Sequence, residues 1–172
     1  PEHEPVVFHH LHFLIRIERG ELLCLVASLT EIHHAKKGMI MPDPIVIIEA
    51  KRTPMGNFNG AFKEMASPQL GGHAIAALFN NAALSKKKCD AVYMGCVLSA
   101  GLGQAPARQA ALAAELSDAT PCTTINKMCG SGMQSVILGC REIQSHTANI
   151  VVAGGMENMS RAPYLLSNAR TG

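Results

Sequence analysis

At 172 residues, 48% of them hydrophobic and 16% charged, the chain has material for one domain with a real core and is not a disordered segment. A net charge of +2 without a basic, aromatic-interleaved run excludes a nucleic-acid binder, and no uninterrupted apolar stretch reaches the roughly 18 residues of a membrane span. The cysteines at 24, 89, 96, 122, 129 and 140 form no CxxC pair, so reduced thiols are expected rather than a disulfide framework or a zinc site. That expectation, with no secretory signal in the text, makes the cytoplasm the default compartment.

Residues 1–40 read as an atypical extension, set apart from a domain over 41–172. Six of the eight histidines fall here (His3, His9, His10, His12, His33, His34), and the apolar clusters are broken by charges without a clean period. Three readings compete. A metal site through His10 and His12 lacks a spaced partner. An organellar presequence would be poor in acids, whereas Glu2, Glu4, Glu18, Glu21 and Glu31 occur here. The simplest reading is an extension, or translated upstream sequence, ahead of a start at Met39 or Met41. No metal is expected.

From Pro42-Asp43-Pro44 the text becomes orderly. Ile45-Val46-Ile47-Ile48 is a continuous apolar run and is expected to be the first core strand, covered on both faces. A turn-rich loop, Lys51 to Gly60, follows. Ser67-Pro68 is a helix start, and Leu70, Ala74, Ala77 and Leu78 share one helical face to about Ala83 despite Gly71-Gly72. Ala91 to Leu98 reads as the second strand, with Lys86-Lys87-Lys88 a solvated loop before it. Pro106 opens a helix to about Leu116.

Gly101-Leu102-Gly103 lacks the third glycine of a dinucleotide fingerprint and is a weak phosphate signal. Cys122 to Ile125 is a third strand, expected to be buried. Met133, Val136, Ile137 and Cys140 then form an apolar stripe on a helix to about Ser145. Ile150 to Gly155 is the last strand. Alternating strands and helices define an α/β fold with a mostly parallel sheet flanked by helices.

Between the third strand and its helix stands Cys129, followed by Gly130-Ser131-Gly132, which lets the backbone turn sharply. A thiol at a helix start lies where unpaired N–H groups and the macrodipole favour an anion, one of the settings that raise the thiolate fraction. Cys129 is thus the candidate nucleophile. Against this, a lone cysteine is more often a small buried hydrophobe.

Asn126-Lys127-Met128-Cys129-Gly130-Ser131-Gly132 resembles the nucleophile motif of the thiolases. Three further blocks resemble thiolase text in the family's order: Lys51-Arg52-Thr53-Pro54-Met55-Gly56-Asn57-Phe58-Asn59-Gly60, Gly101 to Gln109, and Ala153-Gly154-Gly155-Met156-Glu157-Asn158-Met159-Ser160. The resemblance implies a layered α/β fold and an acyl-CoA C-acyltransferase, of the acetyl-CoA acetyltransferase or 3-ketoacyl-CoA thiolase kind, acting in fatty acid metabolism. It implies an acyl-thioester on Cys129, with the Cys129 backbone N–H as oxyanion donor. Coenzyme A thioesters are the implied substrates, with no tightly bound cofactor, and the full-length form is implied to be a homodimer or homotetramer.

The resemblance also implies a histidine in Gly-His-Pro, an asparagine in Asn-Glu-Ala-Phe and a second cysteine in Cys-x-Gly, and none occurs in these 172 residues. His73 and His146 lack the right neighbours, and packing is the expected role of Cys122 and Cys140. The chain reads as the N-terminal half of a thiolase, inactive alone and poorly soluble. Two alternatives are kept: a ketoacyl-synthase-like condensing enzyme, and a non-catalytic half-thiolase that pairs with another subunit.

Overall fold

A computed structural model describes residues 14–19, 45–80 and 85–170. The expectations for the histidine cluster, Cys24, the starts at Met39 or Met41 and the helix end near Ala83 lie outside the described residues. Five strands and three α-helices form the frame: β1 (Leu14–Arg19), β2 (Ile45–Lys51), α1 (Ser67–Asn80), β3 (Ala91–Gly95), α2 (Pro106–Ala113), β4 (Cys122–Ile125), α3 (Ser131–Gln144) and β5 (Ile150–Gly155).

The strands lie in one sheet in the order β2-β1-β5-β3-β4. β3 pairs in parallel with both β4 and β5, while β1 runs antiparallel to β2 on one side and β5 on the other. Four of the five strands therefore point the same way, with β1 reversed among them. β1 falls inside the stretch that composition sets apart as an extension, yet its backbone separates β2 from β5.

Side chains alternate across the sheet, as a pleated strand requires. Val92, Met94 and Val152 face α1 and α2, forming the larger core with Ile75, Leu78, Ala107 and Ala110. Ala91, Val151 and the half-buried Tyr93 face α3, where Ile143 closes a smaller core. Helices thus cover both faces of the parallel part of the sheet. The glycines of α1 allow it to approach α2: a Cβ on Gly72 would come within 2.7 Å of the Ala113 Cβ.

Three expectations change. β2 is an edge strand rather than a core strand, with Val46 and Ile47 exposed, because no described strand pairs along its outer side. β4, expected to be buried, is the opposite edge, half-covered by α2, and its Thr123 is exposed. The apolar stripe of α3 is split: Val136 and Cys140 are half-buried against the smaller core, while Met133 and Ile137 turn outward. Met133 is 68% exposed and Ile137 38%, whereas Ser131, Ser135, Gly139 and Ile143 are buried. The reason is distance: a Cβ on Gly139 would already meet the Val151 side chain at 3.0 Å, so the helix comes nearest the sheet where its residues are small, with the bulky Ile143 one turn further on.

Candidate functional site

The parallel strands end side by side, with Gly95 opposite both Ile125 and Gly155. The loops leaving β3, β4 and β5 therefore gather at one edge, the carboxyl end, where open α/β sheets bind ligands. Two backbone bonds carry the alignment past the strands, Cys96 N–H to the Ile125 carbonyl at 3.0 Å and Met156 N–H to the Gly95 carbonyl at 2.9 Å.

Cys129 lies on the loop between β4 and α3, exposed and without a disulfide. Its neighbour Met128 is left-handed at φ 49°, a strained conformation for a long side chain. The turn is closed by hydrogen bonds. Gly130 N–H donates to the Lys127 carbonyl at 3.1 Å, and Ser131 N–H donates to the Met128 carbonyl at 3.0 Å. Ser131 Oγ accepts from Lys127 N–H at 2.8 Å and donates to the Met128 carbonyl at 2.6 Å. Asn126 Oδ1 accepts from Met128 N–H at 3.2 Å. Lys127 Nζ reaches Gln134 Oε1 at 3.1 Å, which sets an ammonium group on the first turns of α3. α3 begins at Ser131, so the thiol sits two residues before the helix, with Gly130 as the capping residue.

The amino end of α3 rests on the sheet through small residues. A Cβ on Gly95 would lie 2.7 Å from both the carbonyl carbon and the Cβ of Ser131, and 2.8 Å from Gly132 N. Glycine at 95 is what lets the helix start approach this closely.

The other thiols differ in setting. Burial pushes Cys89 up to about 12, and burial, followed by the charge of Glu157, pushes Cys96 up to about 12. Cys122 and Cys140 are also raised by burial. All four are thereby held as neutral thiols. Among the described residues no three His, Cys, Asp or Glu side chains gather as a metal site, and no helix is long and apolar enough to cross a membrane.

The block after β5 has a role that sequence reasoning missed. Glu157 is 8% exposed, and its carboxylate accepts from Val97 N–H at 2.8 Å and from Leu98 N–H at 3.2 Å. Asn158 Nδ2 donates to the Phe62 and Met65 carbonyls, both at 2.7 Å, and Asn59 N–H donates to Ser160 Oγ at 2.8 Å. These side chains tie the loops around residues 60 and 97 to the end of β5. A charged residue two positions after an apolar strand was the available signal.

In the segment 101–109, Gln109 Nε2 donates to the Leu102 and Gln104 carbonyls, both at 2.7 Å, and Gly101 and Gly103 have positive φ. The loop is shaped by its own side chains. Ala107 N–H at the start of α2 donates to Thr124 Oγ1 at 3.0 Å, which fastens this helix to the strand leading into the elbow.

Fold and site together define a layered α/β domain whose exposed thiol stands on a strand-to-helix elbow at the carboxyl edge of the sheet. The chain belongs to the thiolase family: residues 45–172 match the family model described as thiolase, N-terminal domain. The match decides for thiolase over the ketoacyl-synthase alternative.

The chain is 43% identical over 166 residues to the mitochondrial acetyl-CoA acetyltransferase of Rattus norvegicus, covering 94% of this chain and 38% of that protein. It is 42% identical over 147 residues to mitochondrial acetyl-CoA acetyltransferase B of Xenopus laevis, covering 84% and 35%. To the acetyl-CoA acetyltransferase of Schizosaccharomyces pombe it is 47% identical over 128 residues, covering 74% and 32%. The chain thus spans about a third of the length of these relatives. The cytoplasmic expectation is overturned by the relatives named as mitochondrial, because the lack of a recognised signal does not exclude that compartment.

Proposed function

We propose that this chain supplies the acyl-accepting cysteine of an acetyl-CoA acetyltransferase, the activity named for its relatives. The observation that carries the reading is the exposed Cys129 on a hydrogen-bonded elbow at the amino end of α3, while Cys89, Cys96, Cys122 and Cys140 are held as neutral thiols by burial.

The Cys129 thiolate attacks the carbonyl carbon of acetyl-CoA. The carbon–sulfur bond to coenzyme A breaks, coenzyme A leaves as a thiolate and takes up a proton, and the acetyl group remains on Cys129 as a thioester. A second acetyl-CoA, deprotonated beside its carbonyl, attacks that thioester to form acetoacetyl-CoA and return the thiolate. Thiolysis by coenzyme A is the reverse. Covalent transfer replaces one difficult step by two easier ones.

Gly130 and Ser131 direct their N–H groups to carbonyls within the turn, so the Cys129 N–H is the local donor for the oxyanion. The histidine that activates the thiol and the second cysteine of the family pattern are not among these 172 residues, so the chain alone does not turn over. The mitochondrial relatives support a mitochondrial setting, and a homodimer or homotetramer is the assembly we propose for the active enzyme.

The test is mass spectrometry after incubation with acetyl-CoA, with peptide mapping. It is done on this chain and on the chain joined to a second half bearing Gly-His-Pro. An acetyl group on Cys129 in the joined protein is expected. Acetylation elsewhere, or none, refutes the assignment.

A further inference from the structure

We infer that Ser131, seated against Gly95 at the end of β3, is a positioning residue for the Cys129 thiol, its hydroxyl holding the elbow turn in place. The inference deepens the proposed role of Cys129 and rests on it.

Three observations converge on this side chain. Ser131 is only 5% exposed, and its position is set by the sheet, since Gly95 leaves no room for a shift toward β3. Its hydroxyl binds both sides of Met128, accepting from Lys127 N–H at 2.8 Å and donating to the Met128 carbonyl at 2.6 Å. Met128, at φ 49°, is neither glycine nor asparagine, so its left-handed backbone is strained and must be held by its surroundings. The residue so held immediately precedes Cys129. The path from rigid sheet to reactive sulfur therefore runs from β3 through Ser131 to the turn.

With alanine at 131 the Lys127 N–H loses its partner, and the Met128 carbonyl keeps only the Ser131 backbone bond. The turn then relaxes out of the left-handed region. The thiol loses its fixed place two residues before α3.

Ser135 provides the comparison. It lies one turn later on α3, is fully buried, and donates its hydroxyl to the Ser131 carbonyl at 3.0 Å rather than to the Lys127 and Met128 groups that the Ser131 hydroxyl holds. Its loss weakens the helix as a structural defect and leaves the turn intact.

The experiment is the rate of Cys129 alkylation by iodoacetamide at neutral pH, mapped by peptide mass spectrometry, in the full chain and in S131A, S131T and S135A. Thermal midpoints are recorded beside the rates. S131A is expected to slow Cys129 about two- to tenfold, the range of a lost hydrogen bond. S135A lowers the midpoint with the parent rate retained, and S131T, which keeps the hydroxyl, recovers toward the parent. Parent-like rates in S131A, or equal slowing in S135A, overturn the positioning role. Alkylation reads the thiol without acetyl-CoA, so normal positioning with no acetyl adduct would count against the acyltransferase reading alone.

Discussion

Gly95→Ala probes the contact on which the elbow is built. The added methyl carbon would stand 2.7 Å from two atoms of Ser131 and 2.8 Å from Gly132 N, and two of these three are backbone atoms that no rotamer change can move. The amino end of α3 must therefore lift from the sheet. Overpacking of this kind costs about 1–3 kcal/mol, and for a chain of this size each kcal/mol lowers the thermal midpoint by about 2–4 °C. A drop of about 2–12 °C is expected by circular dichroism.

Gly130→Ala is the control on the other side of Cys129. There the added carbon meets its nearest neighbour, the Lys127 carbonyl oxygen, at an ordinary 3.4 Å, and the φ of −87° suits any residue. Its midpoint should stay within about 1 °C of the parent, as for a substitution that removes no contact. If Gly95→Ala melts with the parent, the close approach of α3 to β3 is not rigid, and the argument for Ser131 loses its anchor.

Cys129→Ser should abolish the acetyl adduct in the joined protein while changing stability by no more than about 0.5 kcal/mol, because the side chain is exposed. Glu157→Ala leaves the half-buried Val97 and Leu98 N–H groups without their charged acceptor and should cost about 1–3 kcal/mol in urea unfolding. Glu157→Gln, which keeps an acceptor oxygen, should cost less, and equal losses would contradict the hydrogen-bond account. Stability should also fall at high pH. Cys89 and Cys96 rise from 9.0 to about 12 on folding, so between those values the unfolded chain has released protons that the native state still holds. Full stability below about pH 9 and a steady loss as pH rises toward 12 are expected; urea midpoints unchanged across that range would refute the burial of these thiols.

Much of the fold was legible because it rests on local signals. The strand-to-helix punctuation at Ser67-Pro68, Pro106 and Gly130-Ser131 marks where α1, α2 and α3 begin, to within a residue. β1 was not legible, although Ile15-Arg16-Ile17-Glu18 alternates as a strand should, because the segment is short and set among histidines and charges without a sustained period. What makes β1 a strand is its pairing with β2 and β5, and pairing partners are remote in sequence.

The linear text determines that Cys129 follows a β-branched run and precedes small residues and a helix, which is enough to mark an elbow. It also determines, through four motifs in order, the family to which the chain belongs. Only the tertiary structure decided which face of α3 meets the sheet. Periodicity marks an apolar stripe over Met133, Val136, Ile137 and Cys140, but only Val136 and Cys140 pack on the core; the close approach of the sheet gives the innermost positions to Ser131, Ser135 and Gly139, with Ile143 beyond them. The same proximity gives the Ser131 hydroxyl its hold on the turn. Spacing along a helix records which residues share a side; how near the neighbouring backbone comes is set by elements far away in the chain.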